Sequence, residues 1–335
     1  MQDFYLWCDF IERDFLESGF QTLLKQGQIV GATSNPAIFA KALESKAYQT
    51  QITELKNAKM GAKDIYEHLV IADIKRCAEI LLPLWEKNKA TGYISLEIDP
   101  FLADKVGASV AEARALFGRV NMPNVMIKIP ATDAGLETME HLAKDKNIPL
   151  NATLVFDAKR AKDCALALKK APMGVVSVFV SRLDTLANPL LQDKANRLSS
   201  STQATLLNQF GIANALECYD KIQSVGANHV YPLFASVGTK DPNLPKDYYL
   251  QALNLEHSII TAPLEALKAY YETPSMPITP NKHIKETIQD LGLDLDETPQ
   301  DRDYINFNLG RDSLLFPGLK AFEDAFSKLL KALGQ

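Results

Sequence analysis

Short runs of apolar residues recur along the chain, with stretches of helical spacing between them. Runs of this kind, bounded by Gly, Pro, Asn or Asp, are typical of strands buried in a parallel sheet. We predict eight strands, at about Tyr5–Asp9, Ile29–Thr33, Tyr93–Ile98, Val125–Ile129, Ala152–Phe156, Val175–Val180, His229–Phe234 and Ser258–Thr261. Eight alternating βα units favour a closed (β/α)8 barrel, the TIM barrel, over an open doubly wound sheet. Met276–Ile278 competes for the eighth position, and a count of seven would reopen the choice.

Two connections are longer than a minimal crossover. Pro36–Thr91 predicts two to three helices, and Arg182–Asn228 predicts a long helical insertion. We therefore expect one barrel domain over residues 1–335, with residues 271–335 forming a C-terminal helical extension that packs on the barrel.

The last helix of that extension has one apolar stripe. Leucines and phenylalanines follow one another at steps of four and three residues, at Leu315, Leu319, Phe322, Phe326, Leu329 and Leu333. This spacing places them on one helix face. Packing of the face against the barrel exterior is the favoured interpretation, and a homodimer interface or a cover over the functional site are the alternatives.

Composition excludes several classes of protein. The chain has 335 residues, of which 47% are hydrophobic and 23% charged, and its net charge is −5. These values are typical of a globular protein with a large core. A basic stripe for nucleic acid, a Lys/Arg-rich amphipathic helix for a membrane surface and an apolar run of eighteen residues are all missing. The first residues lack the pattern of a signal peptide, and the four cysteines are widely separated, so we expect a cytoplasmic protein without disulfides.

Lys128 lies within Val125–Pro130, a run that otherwise predicts a buried strand. Burial disfavours the charged form of an amine and lowers its pKa. A neutral lysine amine condenses with a ketone or an aldehyde to give a Schiff base. Lys128 is therefore a candidate nucleophile, although a lysine at a strand end or on a solvated face is the alternative interpretation.

Other polar residues occupy the same relative position in successive βα units. They are Asp9, Thr33, Asn35, Glu97, Asn151, Thr153, Ser177, Arg182 and Ser236, with Phe179 on the same strand as Ser177. Because side chains alternate along a strand, an inward Lys128 predicts an inward Met126, and Glu97 shares its face with Ser95. In a barrel of this kind, chemistry gathers at the carboxyl ends of the strands. These side chains are thus expected to converge there.

Each of these residues also has a structural interpretation. Asp9 suits a turn or a helix N-cap, and the segment from Thr33 to Pro36 is a good helix-capping sequence. Glu97 could serve only to neutralise Lys128 in a buried pair. These interpretations do not explain why the residues share one phase.

Other chemistries fit the sequence less well. It contains no phosphate loop, no Gly-x-Ser-x-Gly elbow and no His-Glu-x-x-His pair. Four of the five histidines fall in or beside predicted helices, and His229 opens a strand at the end away from the site. Covalent catalysis without a metal or another cofactor is the favoured hypothesis.

Two segments, Gly31–Phe39 and Asn124–Thr132, resemble the hallmark segments of transaldolases. Further matches follow in order around them, at Leu6–Asp9, Ser95–Asp99, Asn151–Phe156 and Val178–Arg182. The resemblance spans roughly residues 3–270. It implies a class I aldolase-type barrel of the pentose phosphate pathway. The implied reaction moves a dihydroxyacetone unit from sedoheptulose 7-phosphate or fructose 6-phosphate to glyceraldehyde 3-phosphate or erythrose 4-phosphate.

The resemblance also implies a role for each site residue. Lys128 would form the Schiff base, Asp9 would take and return the proton of the substrate C4 hydroxyl, and Glu97 with Thr153 would hold a proton-carrying water. The remaining residues would line the substrate pocket or bind its phosphate: Asn35 and Asn151 at the dihydroxyacetone hydroxyls, Thr33, Ser177 and Phe179 in the pocket, and Arg182 and Ser236 at the phosphate.

One position departs from the family pattern. Many transaldolases have an arginine two residues after the serine that matches Ser236, and this chain has Gly238. Lys240 would supply the charge as a point cation rather than a bidentate fork, with Arg311 as the next candidate. Two alternative functions stay open at this point, namely a fructose-6-phosphate aldolase-like lyase and a non-catalytic sugar-phosphate-binding barrel.

Overall fold

The structure is a computed structural model. It describes residues 4–195, 206–281, 284 and 314–334. Seven parallel strands form one sheet in the order β1-β7-β6-β5-β4-β3-β2. The strands are β1 (Phe4–Cys8), β2 (Ile94–Glu97), β3 (Val125–Pro130), β4 (Leu150–Val155), β5 (Gly174–Phe179), β6 (Val230–Ala235) and β7 (Ser258–Ala262).

The second predicted strand closes the ring without forming a regular ladder. Ala32 makes parallel bridges to Cys8 on one side and to Ile94 on the other. The amide of Val30 donates to the Leu6 carbonyl at 2.9 Å, and the amide of Ala32 donates to the Tyr93 carbonyl at 2.9 Å. The segment therefore stands between β1 and β2, where the eighth strand of a barrel belongs. Its prediction as a full strand is wrong, because Ala32 alone in this segment forms bridges to the neighbouring strands.

The eighth predicted strand is confirmed. Ser258–Ala262 pairs with β1 along its length and with β6 at two positions. The competing run around residues 276–278 lies outside the strands. The parallel α/β barrel class is confirmed with it.

Helices follow the strands and fill the two long connections. The first helices are α1 (Arg13–Glu17), α2 (Gly19–Lys25), α3 (Pro36–Ala42), α4 (Gln49–Asn57), α5 (Ala62–Lys87), α6 (Val106–Val120) and α7 (Asp133–Ala143). The others are α8 (Ala158–Leu168), α9 (Ser181–Ala195), α10 (Phe210–Gln223), α11 (Tyr248–Ala252), α12 (Leu264–Glu272) and α13 (Phe316–Gly334). Short 3-10 turns at Lys46–Tyr48 and Pro100–Leu102 complete the described elements. None of the helices within the described ranges has both the length and the apolar composition needed to cross a membrane.

The predicted alternation along the strands is confirmed by two separate cores. Met126 packs with the side chains inside the barrel, whereas Val125, Ile127 and Ile129 pack with those between barrel and helices. Tyr93, directly before β2, belongs to the inner core, whereas Ile94, Leu96 and Ile98 belong to the outer core. Lys128 and Glu97 consequently point into the barrel.

Helix α13 contributes to both cores. Leu319 and Phe322, in its first half, pack in the inner core. Phe326, Leu329 and Leu333, in its second half, pack in the outer core, where the helix contacts α3 and α5. The stripe thus packs partly on the barrel exterior and partly over the barrel mouth.

Gly135 allows α7 to approach the end of β3. A Cβ atom at this position would lie 1.9 Å from the Pro130 carbonyl oxygen. The Gly135 amide donates to the Thr132 hydroxyl at 2.8 Å, which caps the helix. The turn over residues 130–135, just after Lys128, therefore depends on glycine at position 135.

We predict that Gly135→Ala lowers the free energy of unfolding by about 1–3 kcal/mol, since the strand end and the helix must move apart. Urea denaturation followed by circular dichroism measures the change. Gly107→Ala is the matched control, because Gly107 also lies in a first helical turn and a Cβ there meets nothing within 4 Å. The control should be neutral or stabilising by up to about 1 kcal/mol. Equal effects of the two substitutions would contradict this account.

Candidate active site

Lys128 and Glu97 form a buried pair on neighbouring strands. The β2–β3 register places them side by side. Lys128 Nζ lies 3.2 Å from Glu97 Oε2, and the two side chains are only 6% and 3% exposed. The amine also donates to the Ser34 carbonyl oxygen at 3.2 Å. The predicted burial of Lys128 inside the barrel is confirmed, and its partner is the predicted carboxylate.

Glu97 is a carboxylate poised to hold a proton. Burial raises its pKa, and the neighbouring Lys128 amine opposes that rise. Glu97 Oε1 and Thr153 Oγ1 are buried without a hydrogen-bond partner among the described residues. Buried polar atoms are nearly always paired with protein, water or ligand. These two atoms are therefore available to a water molecule or a substrate.

A β-bulge orients Thr153. The pairing of β4 with β5 shifts register between Ala152 and Val155. Leu154, inside the bulge, has a φ of 61°, in the left-handed region that side chains rarely adopt. Bulges of this kind re-aim side chains next to functional sites. Backbone strain at Leu154 accompanies the placement of Thr153 in the barrel mouth.

Asp9 follows β1 and takes part in a short hydroxyl chain. Thr33 Oγ1 donates to Asp9 Oδ1 at 2.6 Å and lies 2.5 Å from Thr261 Oγ1. Burial raises the pKa of Asp9, whereas the Thr33 hydrogen bond and the charge of Lys128 lower it. The sequence prediction brought Asp9 and Thr33 together correctly. It missed Thr261, whose only signal is its position near the end of the last strand.

Asn151 joins two serines across the barrel interior. Ser177 Oγ donates to Asn151 Oδ1 at 2.7 Å, and Asn151 Nδ2 donates to Ser95 Oγ at 2.9 Å. All three side chains are buried. Ser95 was not among the predicted site residues. The fact that it lies on the same strand face as Glu97 could have indicated it.

Asn35 caps helix α3, as the structural interpretation of its segment predicted. Its Oδ1 accepts from the Ile38 amide at 3.0 Å. The side chain is half-buried, so its amide nitrogen is the group left for a ligand.

Arg182 lies at the start of α9 with its guanidinium against an aromatic ring. Its Cζ is 5.1 Å from the centre of the Phe179 ring. Burial lowers the pKa of the guanidinium. Neither a hydrogen bond nor an ion pair joins it to another residue of the described ranges. A half-buried cation without an anionic partner is suited to an anionic ligand.

Ser236 lies beside α9, but Lys240 does not join the group. The hydroxyls of Ser236 and Ser181 are 3.1 Å apart, and Ser236 has a φ of 53°. Lys240 is exposed and makes no described contact with the residues above. Its predicted role at a phosphate stays a prediction. Arg311, the other candidate cation, lies outside the described residues.

The part of the chain that the structure describes holds no group of three or more His, Cys, Asp or Glu residues that could bind a metal ion. Cys8, Cys77, Cys164 and Cys218 are buried free thiols. The reactive groups at the barrel mouth are thus an amine, two carboxylates and several hydroxyls.

Residues 6–333 match the family model described as Transaldolase/Fructose-6-phosphate aldolase. A transaldolase of Helicobacter pylori strain P12 is 45% identical over 342 residues, which cover 99% of this chain and 100% of the relative. A transaldolase of Campylobacter jejuni strain 81-176 is 39% identical over 353 residues, with the same coverage of both chains. An IMP dehydrogenase/GMP reductase-like protein of Corynebacterium glutamicum superimposes with a TM-score of 0.35 at 12% identity, over 99% of this chain and 83% of that one.

We predict that Asp9→Asn stabilises the fold increasingly as the pH rises. A carboxylate whose pKa is raised in the folded state binds its proton more tightly there than when unfolded. Its contribution to stability is therefore lost as the pH rises from the unfolded value of about 3.9 through the raised folded value. The amide has no such loss and can still accept from Thr33.

Urea denaturation of both proteins at several pH values measures the difference, with exposed Asp104→Asn as the control. A free energy of unfolding of Asp9→Asn that falls relative to wild type as the pH rises would contradict the assignment.

Proposed function

We propose that this chain, which belongs to the transaldolase/fructose-6-phosphate aldolase family, is a transaldolase. It would transfer a dihydroxyacetone unit from sedoheptulose 7-phosphate or fructose 6-phosphate to glyceraldehyde 3-phosphate or erythrose 4-phosphate. The observation that supports this most strongly is the buried amine of Lys128, 3.2 Å from Glu97 inside the barrel mouth. Relatives named transaldolase that match along their whole length support the transferase over the lyase.

Lys128 attacks the ketose carbonyl after losing a proton. Glu97 is the nearest carboxylate that can accept that proton, and burial, which raises its pKa, favours the protonated form until the proton is passed on. The proton then passes to the carbinolamine hydroxyl, which leaves as water as the protonated imine forms. Thr153 Oγ1, which lacks a partner in the described structure, would hold the water that carries these protons.

Asp9 performs the proton transfer of carbon–carbon cleavage. It takes the proton of the substrate C4 hydroxyl, the C3–C4 bond breaks, and the electron pair moves into the protonated imine, which becomes an enamine. The aldose phosphate then leaves. The acceptor aldehyde is attacked in the reverse sense, and Asp9 returns the proton to the new hydroxyl. Burial and hydrogen bonding give the two carboxylates different surroundings, which suits this division of work.

The remaining residues would recognise the substrate. The amide nitrogen of Asn35 and the Asn151–Ser177 pair would bind the dihydroxyacetone hydroxyls, and Thr33, which donates to Asp9, would orient it. Phe179 supports Arg182 by cation–π contact. Arg182, with Ser236 nearby, would bind the phosphate, and Lys240 would add a second charge from its exposed loop.

Sugar phosphates are thus the proposed ligands. A cytoplasmic location and assembly as a homodimer remain predictions from the sequence.

We predict that Lys128→Met lowers kcat for transfer by at least about 10³-fold, as expected when the nucleophile of a covalent mechanism is removed. Methionine keeps the volume of the side chain, and Glu97 can take up a proton in place of its partner. A coupled assay of erythrose 4-phosphate consumption measures the rate. Lys105→Met, at an exposed lysine on the same end of the barrel, is the control. Activity of Lys128→Met within tenfold of wild type would exclude the mechanism.

We predict that Arg182→Ala raises KM for fructose 6-phosphate by about ten- to a hundredfold, since a charge-assisted contact contributes roughly 1.5–3 kcal/mol. Unphosphorylated dihydroxyacetone as donor, with glyceraldehyde as acceptor, should be affected little. Lys240→Ala should have a smaller effect, because an exposed charge is screened more easily. An equal loss with phosphorylated and unphosphorylated substrates would assign Arg182 a structural role instead.

A further inference from the structure

Phe322 of helix α13 lies over the reactive amine. The centre of its ring is 5.6 Å from Lys128 Nζ. The ring is 5% exposed and packs in the inner core with Met126 and Leu154. An aromatic ring from α13, the last described helix, therefore covers the reactive amine.

Gly318, one turn earlier, brings the same helix against the candidate phosphate arginine. A Cβ at this position would lie 3.0 Å from Leu154 Cδ2 and 3.1 Å from Arg182 Nη1. The helix therefore rests directly on Arg182 and on the bulged strand that holds Thr153. One face of α13 covers the amine, the bulge and the arginine together.

The second half of α13 anchors it outside the site. The Phe326 ring makes an edge-to-face contact with the Tyr66 ring, with 5.0 Å between the ring centres. The centre of the Phe101 ring lies 6.3 Å away. Helix α13 also contacts α3 and α5. Phe322 and Phe326 are thus two buried phenylalanines of one stripe, with the reactive amine beside the first and an outer helix beside the second.

We propose that Phe322 determines the fate of the three-carbon intermediate by keeping water away from it. This inference rests on the proposed transaldolase function. After cleavage, the enamine on Lys128 has two outcomes. It attacks an acceptor aldehyde, or its C3 carbon takes a proton from water to give an imine. A second water then hydrolyses the imine, which releases free dihydroxyacetone and the amine.

Both outcomes end with hydrolysis of an imine by the water that Thr153 would hold, but only the second requires water to protonate the enamine carbon. An apolar ring over Lys128 excludes water there and strengthens the electrostatic interactions beneath it. The first outcome requires the acceptor aldehyde to reach the enamine. Lys128 and Glu97 are only 6% and 3% exposed, so bulk water has little access to the intermediate beneath the ring.

The test is the ratio of two rates measured on the full chain. One rate is the release of dihydroxyacetone from fructose 6-phosphate alone, and the other is the formation of sedoheptulose 7-phosphate when erythrose 4-phosphate is added. We expect Phe322→Ala to raise the ratio of release to transfer by about tenfold, which corresponds to 1.4 kcal/mol between the two barriers. Phe322→Leu keeps an apolar cover and should raise the ratio less.

Phe326→Ala is the matched control, since it removes a buried ring of the same stripe from the anchoring half. It should leave the ratio unchanged even where both rates fall, because a purely structural loss affects both rates alike. Thermal melts establish which variants fold, and if Phe322→Ala does not, Phe322→Leu decides.

An unchanged ratio in the folded Phe322 variants, or an equal rise in Phe326→Ala, overturns the assignment of Phe322 while leaving the proposed function in place. If the wild-type chain transfers nothing from fructose 6-phosphate, the proposed function fails, and this inference fails with it.

Discussion

The buried pair of Lys128 and Glu97 is the interaction on which the rest of the barrel mouth depends. Removing two charges from water costs several kcal/mol each, and attraction between them repays that cost only where the geometry is good. Lys128 Nζ and Glu97 Oε2 lie 3.2 Å apart inside the barrel, and the amine donates to the Ser34 carbonyl. Neither oxygen of Glu97 has a hydrogen-bond partner among the described residues, so the attraction repays only part of the cost. A fold selected for stability alone would place an apolar pair here. A lysine at this buried position is therefore explained by the need of a Schiff-base mechanism for an amine.

Several neighbouring features make sense as consequences of that requirement. Within the described residues, both oxygens of Glu97 and the hydroxyl of Thr153 have no hydrogen-bond partner, and Leu154 adopts a left-handed conformation. Asp9 is held by Thr33 despite a burial that raises its pKa. Each feature is unfavourable for the resting protein, and each provides a group that a substrate or a water can use. Strain and unpaired polar atoms often concentrate at functional sites for this reason.

The sequence predicted the parts that follow from periodicity. Because side chains alternate along a strand, the inward direction of Lys128, Met126 and Glu97 could be predicted before the structure. Ser95 and Thr261 could not be assigned, since a serine or threonine on a strand has the same pattern whether it packs or binds. The bulge at Leu154 has no glycine to signal it. The position of α13 depends on tertiary packing, and an apolar stripe alone does not distinguish the barrel exterior from its mouth.

In the proposed reaction, Lys128 forms a covalent imine with the dihydroxyacetone unit. The most direct measurement is reduction of the wild-type chain with sodium borohydride in the presence of fructose 6-phosphate, followed by peptide mass spectrometry. We expect a reduced three-carbon adduct on the peptide that contains Lys128 and on no other lysine. An adduct on a different lysine, or none while transfer proceeds, would contradict it.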